Sequence, residues 1–180
     1  MLLATRDKFK FYVTKEFKGE FLIPIIENLK VKYQNNFDDY DEVYHCNQLI
    51  HQLNQEPDMS IDYHVMYLDE QCVGFVMVSS GKIDANKFFN QPLFKTTDSA
   101  VVLNYFHICT QGRGNGTYWL KEIILPYYQD KEVMYLKSSH ARAFSLYQRL
   151  GKEIAQYQSD SDNHDYHRVG KIFEIRIDKE

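Results

Sequence analysis

The sequence predicts an α/β domain of the α+β kind built on a mixed sheet, and three stretches carry that prediction. Residues 101–109 are an apolar run of strand length. A glycine-rich turn follows at residues 111–116, then apolar side chains at helical spacing, then a short apolar strand over 133–136. Two strands joined by a helix should lie parallel through a right-handed crossover. Residues 61–68 and 72–79 flank Asp69-Glu70-Gln71 and read as an antiparallel hairpin. Residues 153–157 and 171–177 read as a closing strand pair around the polar loop 159–170.

In chain order, Phe9, Phe11 and Val13 alternate with polar neighbours as a first strand over 9–13. Phe21, Leu22, Ile25, Ile26, Leu29 and Tyr33 recur at helical spacing across 17–33, and Pro24 is tolerable in a first turn or as a kink. A second helix over 40–53 turns Val43, Leu49, Ile50 and Leu53 inward and stops before Pro57. Between these helices Asp38, Asp39, Asp41 and Glu42 stand among aromatics, which suits a cationic amine or a solvated helix start. Gly74 marks a bulge or a close backbone contact in its strand. Residues 80–99 form a long connection that reads as a lid or as a short helix over a sheet edge.

The chain has 180 residues, 44% hydrophobic and 15% aromatic, enough to bury one core, so residues 1–180 are read as one domain. A net charge of −4 argues against the electrostatic footprint of a nucleic-acid binder. Residues 1–7 acquire charge too soon for a secretory leader, and no stretch approaches ~18 uninterrupted apolar residues, so a cytoplasmic protein without a membrane span is expected. Cys46, Cys72 and Cys109 are odd in number and irregular in spacing, as reduced thiols would be. His164 and His167 lack a framing helix or cysteine pair, so no metal is expected.

The glycine turn carries the chemistry. Gly112, Gly114 and Gly116 let the backbone turn sharply, so that successive N–H groups gather at the positive end of the next helix and form a site for phosphate or pyrophosphate. No lysine follows Gly116, which excludes the NTPase phosphate loop, and the spacing and late position disfavour a dinucleotide fingerprint. A plain structural turn is the competing reading. Beyond it, Trp119, Leu120, Ile123, Ile124 and Tyr127 share a helix face that Pro126 closes. Ser138 or Ser139 can cap a further helix carrying Ala143, Phe144, Leu146, Tyr147 and Leu150, and Gly151 suits a left-handed C′ position.

Two motifs at this separation resemble those of the GNAT superfamily of acyl-CoA-dependent N-acyltransferases. Its R/Q-x-x-G-x-G/A loop is met by residues 111–116, and its A-x-x-x-Y-x-x-L-G helix by residues 143–151. The resemblance implies a mostly antiparallel sheet of about six or seven strands, with splayed parallel middle strands and about four flanking helices. It implies acetyl-CoA as cosubstrate. The CoA pyrophosphate would lie on Gln111, Gly112, Arg113, Gly114, Asn115, Gly116 and Thr117. Phe106, Ile108, His140 and Ala143 would line the rest of the cofactor site, and Tyr147 would protonate the departing thiolate. The chain departs from the pattern at Asn115, usually aliphatic, at His140, usually asparagine, and at Lys152, usually phenylalanine.

The implied activity is direct acetyl transfer to a primary amine of a small molecule or protein, with homodimerisation open. A non-catalytic acyl-CoA-binding module would share the same turn. Such transfer also needs a base for the ammonium proton. His107 has the right chemistry and precedes the turn, although a core histidine would read the same; Asp98 is a second candidate. The Tyr147 phenol, ordinarily near pKa ~10, is protonated at neutral pH and so suited to donate.

Overall fold

The structure, a computed structural model, describes residues 1–34, 41–82, 99–109, 114–160 and 167–177. One eight-stranded sheet runs through it in the order β1-β2-β3-β4-β5-β6-β8-β7. The strands are β1 (Leu2–Arg6), β2 (Phe9–Thr14), β3 (Met59–Leu68), β4 (Gln71–Gly81), β5 (Ala100–Ile108), β6 (Val133–Ser138), β7 (Lys152–Asp160) and β8 (His167–Arg176). Every neighbouring pair is antiparallel except β5 and β6, which are parallel as the strand–helix–strand pattern requires.

Among the described residues four helices flank the sheet. They are α1 (Ile23–Gln34), α2 (Glu42–Asn54), α3 (residues 115–127) and α4 (Ala141–Leu150). Within α3 the middle segment, Trp119–Ile124, is wound as a π-helix. Neighbouring strand residues point to opposite faces, so the two cores separate cleanly. Val65, Phe75 and Met77 pack with Phe21 and Ile25 and with Cys46, Ile50 and Leu53 of α2. Met66, Val76 and Val78 pack on the other face with Trp119, Leu120 and Ile124 of α3 and Tyr147 of α4.

The sheet has more strands than expected because β1 is an edge strand of mixed exposure, without the apolar alternation that marks a half-buried one. It turns into β2 through Asp7, whose φ of 53° is left-handed. The β3–β4 turn likewise holds Asp69 and Glu70 at φ 46° and 68°, the type I′ geometry that matches strand twist. Gly74 meets both of its expectations. The register slips beside it, leaving Val73 as the extra residue, and a Cβ at Gly74 would lie 2.6 Å from the Trp119 ring.

Four local expectations are corrected. The first helix starts later, with a 3₁₀ turn at Gly19–Leu22 and Pro24 as the second residue of α1, where its missing N–H costs nothing. Ile26 and Tyr33 face outward, 45% and 74% exposed, while Lys32 is buried. Ser138 and Ser139 do not cap α4: His140 takes the cap position, and its N–H donates to Ser138 Oγ at 3.2 Å.

Gly151 is extended, not left-handed, and its reason for being glycine is closeness. A Cβ there would lie 2.4 Å from the Glu174 carbonyl oxygen, which β8 holds in place. Gly151→Ala is therefore expected to cost about 1–3 kcal/mol, read as a fall in Tm of ~2–4 °C per kcal/mol. An unchanged Tm would contradict the close approach.

Candidate active site

The site forms where β5 and β6 part. Their pairing ends at Leu103–Leu136, while β5 continues along β4 to Ile108. The parting coincides with a bulge: Met77 faces Tyr105 and Val78 faces Leu103, so Asn104 is the extra residue. Its amide donates to Ser79 Oγ at 2.9 Å and to the Val102 carbonyl at 3.1 Å, which fixes the bulge. A bulge bends its strand and changes which face the following side chains take. Phe106 and Ile108 consequently join the α3/α4 side, and Tyr105 the α1/α2 side.

A cleft of about 700 Å³ occupies the opening, within the ordinary range of ~300–1,000 Å³ for small-ligand sites. Tyr147, Ala143 and His140 of the α4 segment line it together with Phe106, His107 and Ile108. Most of the residues proposed from sequence for catalysis and for the inner cofactor site thus share one cavity. Of the glycine turn, Gly114 caps α3 with φ 90°, a left-handed conformation natural to glycine. Gly116 lies flat enough that a Cβ would come within 3.4 Å of Phe106 and Ile108. The Thr117 hydroxyl accepts a long hydrogen bond from Arg149 at 3.4 Å. Gln111, Gly112 and Arg113 fall outside the described residues, as do Asp38, Asp39, Asp98 and most of the 80–99 connection.

The α1/α2 wall holds an arrangement that the motifs did not reveal. His107 Nε2 lies 3.0 Å from Glu42 Oε1, and its Nδ1 lies 3.2 Å from the Asn28 amide nitrogen. The other Glu42 oxygen pairs with Lys32. These contacts fit a neutral imidazole donating from Nε2 to the carboxylate and accepting at Nδ1. Burial alone would raise the Glu42 pKa, but the hydrogen bond from His107, with the hydrogen bond and charge of Lys32, holds it well down, at about 2. The sequence did carry one signal. Lys32 falls seven residues after Ile25, and Glu42 four before Cys46, both on inward helix faces. Charged residues at such positions call for buried partners.

Tyr147 is almost fully buried, its ring 5.5 Å from that of Phe173. Burial pushes its phenol above the ordinary value. The thiols are poor nucleophiles: burial raises Cys46 and Cys72 to about 12 and raises Cys109 as well. Among the described residues no cluster of three or more metal-ligating side chains occurs, and His167 pairs with Asp160 at 2.7 Å. No helix among them is long and apolar enough to cross a membrane.

No protein-family model matches the sequence, and no curated protein matches it. Solved structures do. A protein placed in the GNAT acetyltransferase family, from Desulfovibrio desulfuricans, aligns with a TM-score of 0.61 over 94% of this chain and 99% of its own, at 13% identity. The aminoglycoside N(6′)-acetyltransferase of Legionella pneumophila gives 0.60 over 93% and 92%, at 16% identity. A ribosomal L7/L12 α-N-protein acetyltransferase in complex with coenzyme A gives 0.56 over 100% of both chains, at 14% identity. The chain has the GNAT fold. Within that fold the β5–β6 opening, the α3 N-terminus and α4 are the parts that the sequence motifs single out.

Proposed function

We propose that residues 1–180 form a single acetyltransferase domain that moves the acetyl group of acetyl-CoA directly to an amine. The observation that carries this reading is the convergence of the α4 tyrosine and the bulged strand on one cleft, with Gly116 of the glycine turn close against two of its lining residues, Phe106 and Ile108. Past Leu103–Leu136 the β5–β6 ladder stops, leaving room for an extended, amide-bearing arm such as pantetheine to lie along β5. The α3 N-terminus, opened by Gly114, is suited to the pyrophosphate.

In this reading the thioester supplies an electrophilic carbonyl. The acceptor amine forms the new C–N bond, the C–S bond breaks, and the electron pair stays on sulfur, where the Tyr147 hydroxyl delivers a proton. His107 is the proposed acceptor of the amine's proton. Glu42 holds the Nε2 proton in place, and Nδ1 keeps the lone pair, so Asn28 must yield Nδ1 before the imidazole can accept. The structural relatives named above act on an aminoglycoside and on a ribosomal protein, which keeps both small-molecule and protein amines open as acceptors.

The test is thermal unfolding with acetyl-CoA, CoA or ATP, followed by free-CoA release with a panel of amines. A ligand at about 100 times its Kd stabilises by ~2.7 kcal/mol, which at ~2–4 °C per kcal/mol raises Tm by several degrees. Acetyl-CoA and CoA are expected to do so and ATP is not. No shift with either CoA compound would overturn the assignment.

A further inference from the structure

Among the described residues, the charges lining the α1/α2 side of the cleft are paired off with one exception. Lys32 and His107 share Glu42, and His45 Nε2 lies 3.4 Å from Asp41. His140 and Arg142, toward α4, also have partners. Lys137 has no ion pair among the described residues, although it lines the same cleft. Its position follows from strand alternation. Val133 and Tyr135 of β6 pack with Ala100 and Val102, whereas Met134 and Leu136 pack with α3 and α4. Lys137 continues the first set, on the face that also carries His107, one residue past the last β5–β6 pair. Its side chain lines the cleft while remaining exposed to solvent, and partial desolvation lowers its pKa. Tyr157 and Ser159 of β7 line the cleft with it and can add hydroxyl donors.

A solvent-reached ammonium with no ion pair among the described residues is available to a ligand that supplies the countercharge. The CoA phosphates are not that ligand in the reading above, because they belong at the α3 N-terminus on the opposite face. We propose that Lys137 determines acceptor specificity: the amine acceptor carries an anionic group, carboxylate or phosphate, which Lys137 receives while the amine approaches His107. This inference rests on the acetyltransferase reading and narrows its acceptor to an amine that also bears a negative charge.

The test uses amines in pairs that differ in that charge: an amino acid with its carboxamide, and O-phosphoethanolamine with ethanolamine. The anionic member of one pair is expected to have the higher kcat/KM by about 10- to 100-fold, the worth of a charge-assisted hydrogen bond. Which pair responds separates carboxylate from phosphate. Lys137→Met should abolish the preference and Lys137→Arg should retain part of it, with stabilisation by acetyl-CoA unchanged in both. Equal kcat/KM within both pairs, or a preference that survives Lys137→Met, overturns the proposal. If no amine is turned over, the Tm of the acetyl-CoA-saturated protein with each member of a pair gives the same comparison, and equal shifts overturn it. Loss of acetyl-CoA stabilisation in Lys137→Met alone would assign the lysine to the cosubstrate instead, whereas its absence in the parent protein would defeat the acetyltransferase reading itself and this inference with it.

Discussion

Tyr147→Phe is expected to lower kcat by about 100-fold while leaving acetyl-CoA affinity and Tm nearly unchanged, since a positioned general acid contributes ~10²–10⁴-fold. The substitution removes one oxygen and keeps the ring that packs against Phe173, so the α4–β8 contact survives. A phenol raised by burial holds its proton through neutral and mildly alkaline pH. The same dry surroundings raise the pKa of a departing thiol, so donor and acceptor move together and the transfer is not forced uphill. Steady-state kinetics with the best amine, beside a thermal titration with acetyl-CoA, separate the possibilities. An unaltered kcat would remove the acid role, and a large rise in the acetyl-CoA Kd would make Tyr147 a binding residue.

Much of this fold can be read from local pattern. The β3–β4 hairpin, the parallel crossover and the α4 helix each have strong periodicity or turn chemistry of their own. Gly74 was legible as an exception within its strand. What could not be read depends on partners distant in sequence. The Asn104 bulge is defined by its register against β4, and nothing in residues 101–109 alone announces it. It nevertheless decides which side of the sheet Phe106 and His107 each face. The outward turn of Ile26 and Tyr33 likewise follows from how α1 docks, since a helix with apolar residues around much of its circumference does not declare its inner face. Gly151 was correctly singled out, for a reason that local sequence cannot supply, because the atom that excludes a side chain belongs to β8. The glycine turn and Tyr147 were found because they form a motif, whereas Lys32, Glu42 and Asn28 come together only after two helices have packed.

That packed group yields the second large effect. Glu42→Ala breaks two contacts at once: Lys32 Nζ loses the Glu42 carboxylate, and His107 Nε2 loses its acceptor. Lys32 is buried and Glu42 partly so, with side-chain exposures of 9% and 16%, so water cannot replace the carboxylate freely. Removing one partner of a buried pair costs about 3–5 kcal/mol, which places the expected fall in Tm on the order of 10 °C at pH 7. The pH dependence follows from the direction of the shift. Glu42 is held at about 2, below its ordinary 4.5, so its stabilisation is fully present above 4.5 and is lost as pH falls toward 2. The gap between the parent protein and Glu42→Ala should therefore stay constant from pH 7 to pH 5 and narrow below that. Denaturant unfolding at pH 7, 5 and 3 measures it, and a gap undiminished at pH 3 would mean that the lost stability is packing rather than charge. The double substitution Lys32→Met with Glu42→Leu provides the converse arm. Apolar side chains of similar size recover most of the stability of a buried pair, yet they leave His107 without its orienting carboxylate. Recovered Tm with depressed kcat/KM would separate the two tasks of Glu42, holding α1 to α2 and holding the imidazole.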